Sequence, residues 1–156
     1  MPLLHRNLRS EKVGQLTDLQ KPLLLRPNDT VREAVRRMQE KRTGCVVICD
    51  EGQIVGIFTE RDLVRRVLAV GKPLNLPLRE CMTPNPVTVR DCETVGTALR
   101  RMQHGGYRHL PVINEAGAPV AILSIKRILH YIAEHMPDLV YNQPPDPNQV
   151  QQEYGG

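Results

Sequence analysis

Two short motifs, Thr59-Glu60-Arg61-Asp62 and Ser124-Ile125-Lys126-Arg127, combine residue types and spacing that suit chemistry. Each puts a hydroxyl just ahead of a run with helical periodicity, so each hydroxyl marks a helix start. A helix start offers free backbone N–H groups, and beside the Thr59 hydroxyl these suit a phosphate. Asp62, one turn on, faces the same way, and its two carboxylate oxygens are placed to accept both hydroxyls of a ribose. The same pair also reads as plain helix architecture, with Thr59 as N-cap and Asp62 as a favourable first-turn acid. The second motif keeps its hydroxyl at Ser124 but has Arg127 in the place of the carboxylate. A guanidinium only donates, so it cannot serve a diol, although it can hold phosphate.

The elements that must position these motifs come from a repeat. Residues 30–39 match residues 94–103, with Thr30 on Thr94, Ala34 on Ala98 and Met38 on Met102. The register continues through Cys45-Val46-Val47-Ile48 on His109-Leu110-Pro111-Val112, and after one inserted residue Thr59 falls on Ser124. One unit is used twice. In the first copy Val31, Ala34, Val35 and Met38 form the stripe of an amphipathic helix, and Thr30 with Glu33 has the spacing of a capping box. Cys45-Val46-Val47-Ile48-Cys49 is apolar on both faces, and Asp50-Glu51-Gly52 turns it into a second strand, Gln53-Ile54-Val55-Gly56-Ile57-Phe58. A closing helix follows through Leu63, Val64, Val67 and Leu68, with Gly71 as its stop. In the second copy the closing helix runs to about Met136, with Ile125, Ile128, Leu129 and Ile132 as its apolar face and Pro137 as its stop.

Short strands, Pro22-Leu23-Leu24-Leu25 and Pro86-Val87-Thr88-Val89, precede the first helix of each copy, so the unit is β-α-β-β-α. A sheet that small leaves one face uncovered, and the expected fold is α+β, two repeats packed sheet to sheet as one pseudo-twofold module. The division expected is an N-terminal extension over 1–20, with a lead-in helix around 11–19, then repeat 1 over 21–71 and a linker over 72–83. Repeat 2 covers 84–136, and the Pro/Gln-rich 137–156 reads as a flexible tail that cannot support a core.

With 156 residues the chain can bury a core without disulfides or a metal. Cys45, Cys49, Cys81 and Cys92 lack any metal-ligand or redox spacing and read as small buried hydrophobes in a reducing compartment. No apolar run is long enough to span a membrane, no secretory leader is evident, and the cytoplasm is the expected location. The balance of 21 Lys+Arg against 17 Asp+Glu leaves a formal charge of +4, which opens a nucleic-acid-binding alternative through Arg36, Arg37, Arg42, Arg100, Arg101 and Arg108. No Trp and a single Phe argue against it, because single-strand binders offer stacking platforms. A hydrolase is disfavoured too, since Asp62, His109 and the cysteines form no nucleophile–base set.

The repeat resembles a tandem pair of CBS (cystathionine-β-synthase) domains, the Bateman module. The resemblance is carried by Cys81-Met82-Thr83-Pro84-Asn85-Pro86-Val87-Thr88-Val89, Arg108-His109-Leu110-Pro111-Val112-Ile113 and Gly56-Ile57-Phe58-Thr59-Glu60-Arg61-Asp62-Leu63, and it covers about residues 20–136. It implies a non-enzymatic regulatory module that binds AMP, ADP or ATP, less readily S-adenosylmethionine, forms a homodimer and acts on a regulated protein. A ligand-free protein-interaction scaffold remains the other outcome. By the same resemblance Thr59 takes phosphate, Asp62 takes ribose, and the base lies against Ile57, Asn85, Pro86, Val87, Leu110 and Pro111, with Tyr107 and His109 lining the base or phosphate region. Arg61, Arg65 and Arg66 either assist a polyphosphate or form a solvated helix face. A second, weaker place would be built from Ser124, Arg127, Leu23 and Cys45, empty or taking only the phosphate end of a larger ligand. The surplus apolar residues Val64, Leu68, Ile128 and Ile132 are the sequence's own contribution to a dimer face.

Overall fold

The structure is a computed structural model and describes residues 7–135. The expected tail and the stop at Pro137 lie outside the described residues. In the first repeat β1 (Leu24–Leu25) leads through α1 (Val31–Lys41) to β2 (Cys45–Asp50), which turns into β3 (Gln53–Thr59). The closing helix starts as α2 (Glu60–Asp62) and continues as a π-helical stretch, Leu63–Leu68, in which the Ala69 N–H donates to the Val64 carbonyl at 2.8 Å. After β4 (Thr83–Pro84), the second repeat runs β5 (Val89–Arg90), α3 (Val95–Gly105), β6 (His109–Ile113), β7 (Pro119–Ser124) and α4 (Ile125–His135). The expected β-α-β-β-α unit is present twice, with its first strand cut to two residues in each copy.

The sheets are ordered β1-β2-β3-β4 and β5-β6-β7. Pairing is parallel across each helical crossover and antiparallel in each hairpin. Glu51 and Gly52 both take positive φ, 50° and 78°, the left-handed pair that a two-residue hairpin turn requires. Because β2 is apolar on both faces, it serves two cores. Val46 and Ile48 pack with Val31, Ala34, Met38, Phe58 and Val67 under the helices. Cys45 and Val47 turn the other way and meet Ile57 and Ile122, which joins the first sheet to β7 of the second. Sheet-to-sheet packing therefore rests on β-branched and Cys side chains from both repeats.

The Thr30 hydroxyl accepts the Glu33 N–H at 3.2 Å, but the Glu33 carboxylate turns to Arg36 at 2.7 Å, so the capping box expected there is only half formed. A full box forms instead at Thr59 and Asp62.

The N-terminal segment forms no helix over 11–19; only a 3-10 turn, Val13–Gln15, is present. Its neighbours are drawn into extended pairing, with Lys12 bridged to Thr94 and Gln20 to Ile122, a geometry a helix cannot supply. Val13 and Leu16 are buried in the core of the second repeat. Residues 72–83 are equally engaged. Leu78 and Cys81 are buried in the first core, and Thr83 and Pro84 pair with Ile57 and Gly56 as the fourth strand of the first sheet. The two segments make equivalent contacts: Val13 N–H to the Glu93 carbonyl, and Leu78 N–H to the Asp29 carbonyl, each at 2.9 Å.

Ile128 is fully buried in the second core and Ile132 is partly buried, so neither belongs to an outer apolar face. The exposed apolar residues on and just after the closing helices are Val64 (55% exposed), Leu68 (56%), Val70 (59%) and Leu129 (59%).

Candidate functional site

A cleft of about 990 Å³ opens between the repeats. It is bounded by the C-terminal end of β3, the start of α2, β4 with the following turn, the residues entering β6, and the start of α4. Both hydroxyl-led helix starts, at Thr59 and at Ser124, face this single cavity.

Asp62 lines it while only 8% exposed. Its Oδ2 accepts the Thr59 N–H at 3.1 Å and the Thr59 hydroxyl at 3.3 Å, while the Thr59 Oγ1 accepts the Asp62 N–H at 3.3 Å. The other oxygen, Oδ1, accepts the Thr83 hydroxyl at 3.2 Å and lies 3.4 Å from Arg66 Nε. Arg66 Nη1 also donates to the Met82 carbonyl at 2.9 Å. The carboxylate thus ties together the helix start, the π-helical stretch and β4. A Cβ at Gly56 would overlap the Met82 thioether, so the bare Gly56 backbone makes room for the Met82 side chain against β3.

Past β4 the chain turns at Asn85, which takes φ 47° and donates its N–H to the Val55 carbonyl at 3.1 Å. This left-handed turn sets Asn85, Pro86 and Val87 into the cleft wall, with Ile57 beside them. From the second repeat come Tyr107 and His109. The Tyr107 ring lies over Gly105, where any Cβ would collide with it. His109, partly buried at the start of β6 and paired with Ser124, is held below the usual imidazole range. Burial is the main cause; Lys126 and Arg108 act in the same direction, and the Glu60 carboxylate opposes them.

Leu110 and Pro111 do not reach the cleft. Strand alternation turns Leu110 into the second core, and Pro111 is buried opposite Ile122, so only the first residue of β6 faces the cavity. Of the second set only Ser124 lines it. Leu23 sits in the first core and Cys45 in the inter-sheet cluster. Arg127 turns away to the N-terminal segment, donating from Nε to the Thr17 carbonyl at 2.7 Å and from Nη2 to the Thr17 hydroxyl at 3.0 Å. Its place in the cleft is taken by the preceding residue, Lys126.

Residues that motif reading did not assign to this site include Arg42, Gly44, Glu60, Thr83, Arg108 and Lys126. The signal for Arg108 lay in the repeat register, which aligns it with Gly44, while Lys126 stood inside the second motif. Six cationic side chains, Arg42, Arg61, Arg65, Arg66, Arg108 and Lys126, line the cleft against two carboxylates, Glu60 and Asp62. By contrast, Arg36 and Arg101 of the nucleic-acid alternative are spent internally, on Glu33 and Glu40 and on Glu93 and the Thr88 carbonyl.

Cys45 and Cys81 are buried as expected, whereas Cys49 is partly buried and Cys92 exposed. Burial, with the Asp62 charge adding to it, pushes the Cys45 thiol up to about 12. Among the described residues no His/Cys/Asp/Glu group suits a metal, and no helix is long and apolar enough to cross a membrane.

Known proteins share this fold. A "CBS domain-containing protein" of Arabidopsis thaliana is 36% identical over 116 residues, 74% of this chain and 21% of that protein, so the chain spans about a fifth of this relative's length. A CBS domain protein from Pyrobaculum aerophilum, solved in complex with AMP, superposes with TM-score 0.70 at 27% identity, covering 79% of this chain and 98% of that one. The CBS domain pair of the protein MJ0100, solved with 5'-methylthioadenosine and S-adenosyl-L-methionine, gives TM-score 0.71 at 25% identity over 79% of this chain and 96% of that one. Residues 13–69 and 78–134 each match the CBS domain, and the chain belongs to that family as a tandem pair.

Proposed function

We propose that the cleft binds an adenosine nucleotide and that the protein is a sensor rather than an enzyme. The observation that carries this reading is the excess of cationic side chains around the Thr59/Asp62 helix start. Thr59 and the helix start hold phosphate, Asp62 presents carboxylate oxygens to the ribose, and Ile57, Pro86 and Val87 form the apolar wall for the base. The AMP complex of the Pyrobaculum relative supports this ligand class. S-adenosylmethionine suits this cleft less, because its sulfonium is a cation among cations.

Sensing follows from the connections of Asp62. A ribose needs lone pairs now used by Thr83 and Arg66, so binding competes with the link between the helix start and β4. A ligand shifts such an equilibrium only by its difference in affinity between the two arrangements, and a regulated protein reads the shift. The outer face of Val64, Leu68, Val70 and Leu129 provides the homodimer contact.

Thermal unfolding with AMP, ADP, ATP and S-adenosylmethionine tests the reading. A ligand at about 100 times its Kd adds about 2.7 kcal/mol, which raises the midpoint by roughly 5–10 °C for a chain of this size. Asp62→Ala should abolish the shift. No shift with any of the four at millimolar concentration would leave the scaffold reading in its place.

A further inference from the structure

The cations of the cleft are not all alike. Arg66 is engaged with Asp62 and the Met82 carbonyl, but among the described residues the side chains of Arg42, Arg61, Arg65, Arg108 and Lys126 make no hydrogen bond or ion pair. The other acid among the described residues of the wall, Glu60, likewise has no hydrogen-bond or ion-pair partner there. Five free cations facing one free carboxylate is more charge than a monophosphate balances, since it carries at most about two negative charges.

The distribution matters as much as the number. Arg42, Arg61 and Arg65 belong to the first repeat, and Arg108 and Lys126 to the second. The two groups flank one continuous cavity, with the start of α2 on one side and the start of α4 on the other. Only the first side has a carboxylate suited to a ribose. On the second side Arg127 replaces it and is bonded to Thr17, so no group there holds a second nucleoside. The second repeat therefore contributes positive charge without a nucleoside position.

We propose that the cleft takes one nucleoside polyphosphate per chain, of three or more phosphates, whose phosphate chain crosses from Thr59 and Arg61 to Arg108 and Lys126. This rests on the nucleotide reading above for the nucleoside end, and on the free cations for the rest. The ligand then bridges the repeats, and chain length is the property that the site reads.

Calorimetric titration of the full chain at fixed salt, without divalent cations, tests it with adenosine, AMP, ADP, ATP and inorganic tripolyphosphate. The expected result is one ATP per chain, affinity rising at least tenfold from AMP to ATP, and Arg108→Gln and Lys126→Gln each weakening ATP about fivefold or more while leaving AMP within twofold. Both side chains are exposed, so these variants should fold; unchanged melting curves check that. AMP binding as tightly as ATP, equal losses for both ligands in the variants, or two ligands per chain would overturn the proposal while leaving the nucleotide reading in place. Tripolyphosphate binding as tightly as ATP, with adenosine and AMP inert, would overturn the nucleotide reading and keep the polyphosphate one. No binding by any of the five would remove both.

Discussion

The Thr83 hydroxyl donates to Asp62 at 3.2 Å, joining a residue of the short strand between the repeats to the carboxylate that caps the start of α2. That single bond makes β4 part of the site's structure and gives any ligand of Asp62 a lever on the segment between the repeats.

Thr83→Val removes this donor while keeping the shape. A hydrogen bond to a charged group contributes about 1.5–3 kcal/mol, and Arg66 remains to serve Oδ1, so the expected loss is about 1 kcal/mol. Urea unfolding should show a lower midpoint with an unchanged m-value. A midpoint equal to that of the original chain would mean the bond contributes nothing to stability.

His109 should make stability depend on pH. Its folded pKa lies below the value of about 6.5 expected of an unfolded histidine, chiefly because burial disfavours the charged imidazolium. Its contribution is therefore present above about pH 6.5 and is lost as pH falls through the folded value. His109→Gln should flatten that part of the profile between pH 7.5 and 5.5. Bound phosphate favours the charged ring, so nucleotide binding should take up protons, which titrations in buffers of different ionisation enthalpy will read. An identical profile in the variant would assign the slope to other groups.

Gly105→Ala puts a methyl group where the Tyr107 ring now lies. Alanine favours the end of α3 by roughly 1 kcal/mol, so the fold should survive. The displaced ring should weaken nucleotide binding several-fold, as measured by calorimetry. Unchanged affinity would place Tyr107 outside the ligand's contacts.

Val64→Glu together with Leu129→Glu tests the outer face. Both side chains are more than half exposed, so stability should change by less than about 0.5 kcal/mol. Light scattering should show monomers in place of dimers. A chain that is monomeric before substitution would remove the dimer reading.

Much of this was legible in the sequence because the repeat supplies its own comparison. Helical stripes such as Val31, Ala34 and Met38, and the two-sided run Cys45 to Ile48, declare their partners through local spacing. Strands of two residues carry no such period. The pairing of Thr83 with Ile57, and of Gln20 with Ile122, joins positions far apart in the chain, and nothing local announces it. The lining of the cleft was legible where a motif carried it, at Thr59 and Asp62. It was misplaced at Leu110, where alternation buries every second residue, and at Arg127, whose Thr17 partner lies at the opposite end of the chain. Arg61 and Arg65 stayed open between a polyphosphate and a solvated face because an arginine on a helix start looks the same in sequence whether it faces bulk water or a cleft.

The exchange of segments between the repeats also has a consequence for synthesis. Val13 and Leu16 dock into the second core, and Gln20 waits for Ile122, so these residues leave the ribosome well before the partners that bury them. The first core is likewise incomplete until Leu78 and Cys81 arrive. A nascent chain stalled before residue 122 should hold residues 13–20 unburied and open to chaperones or proteases. For residues 13–20 the order of synthesis and the order of burial therefore differ.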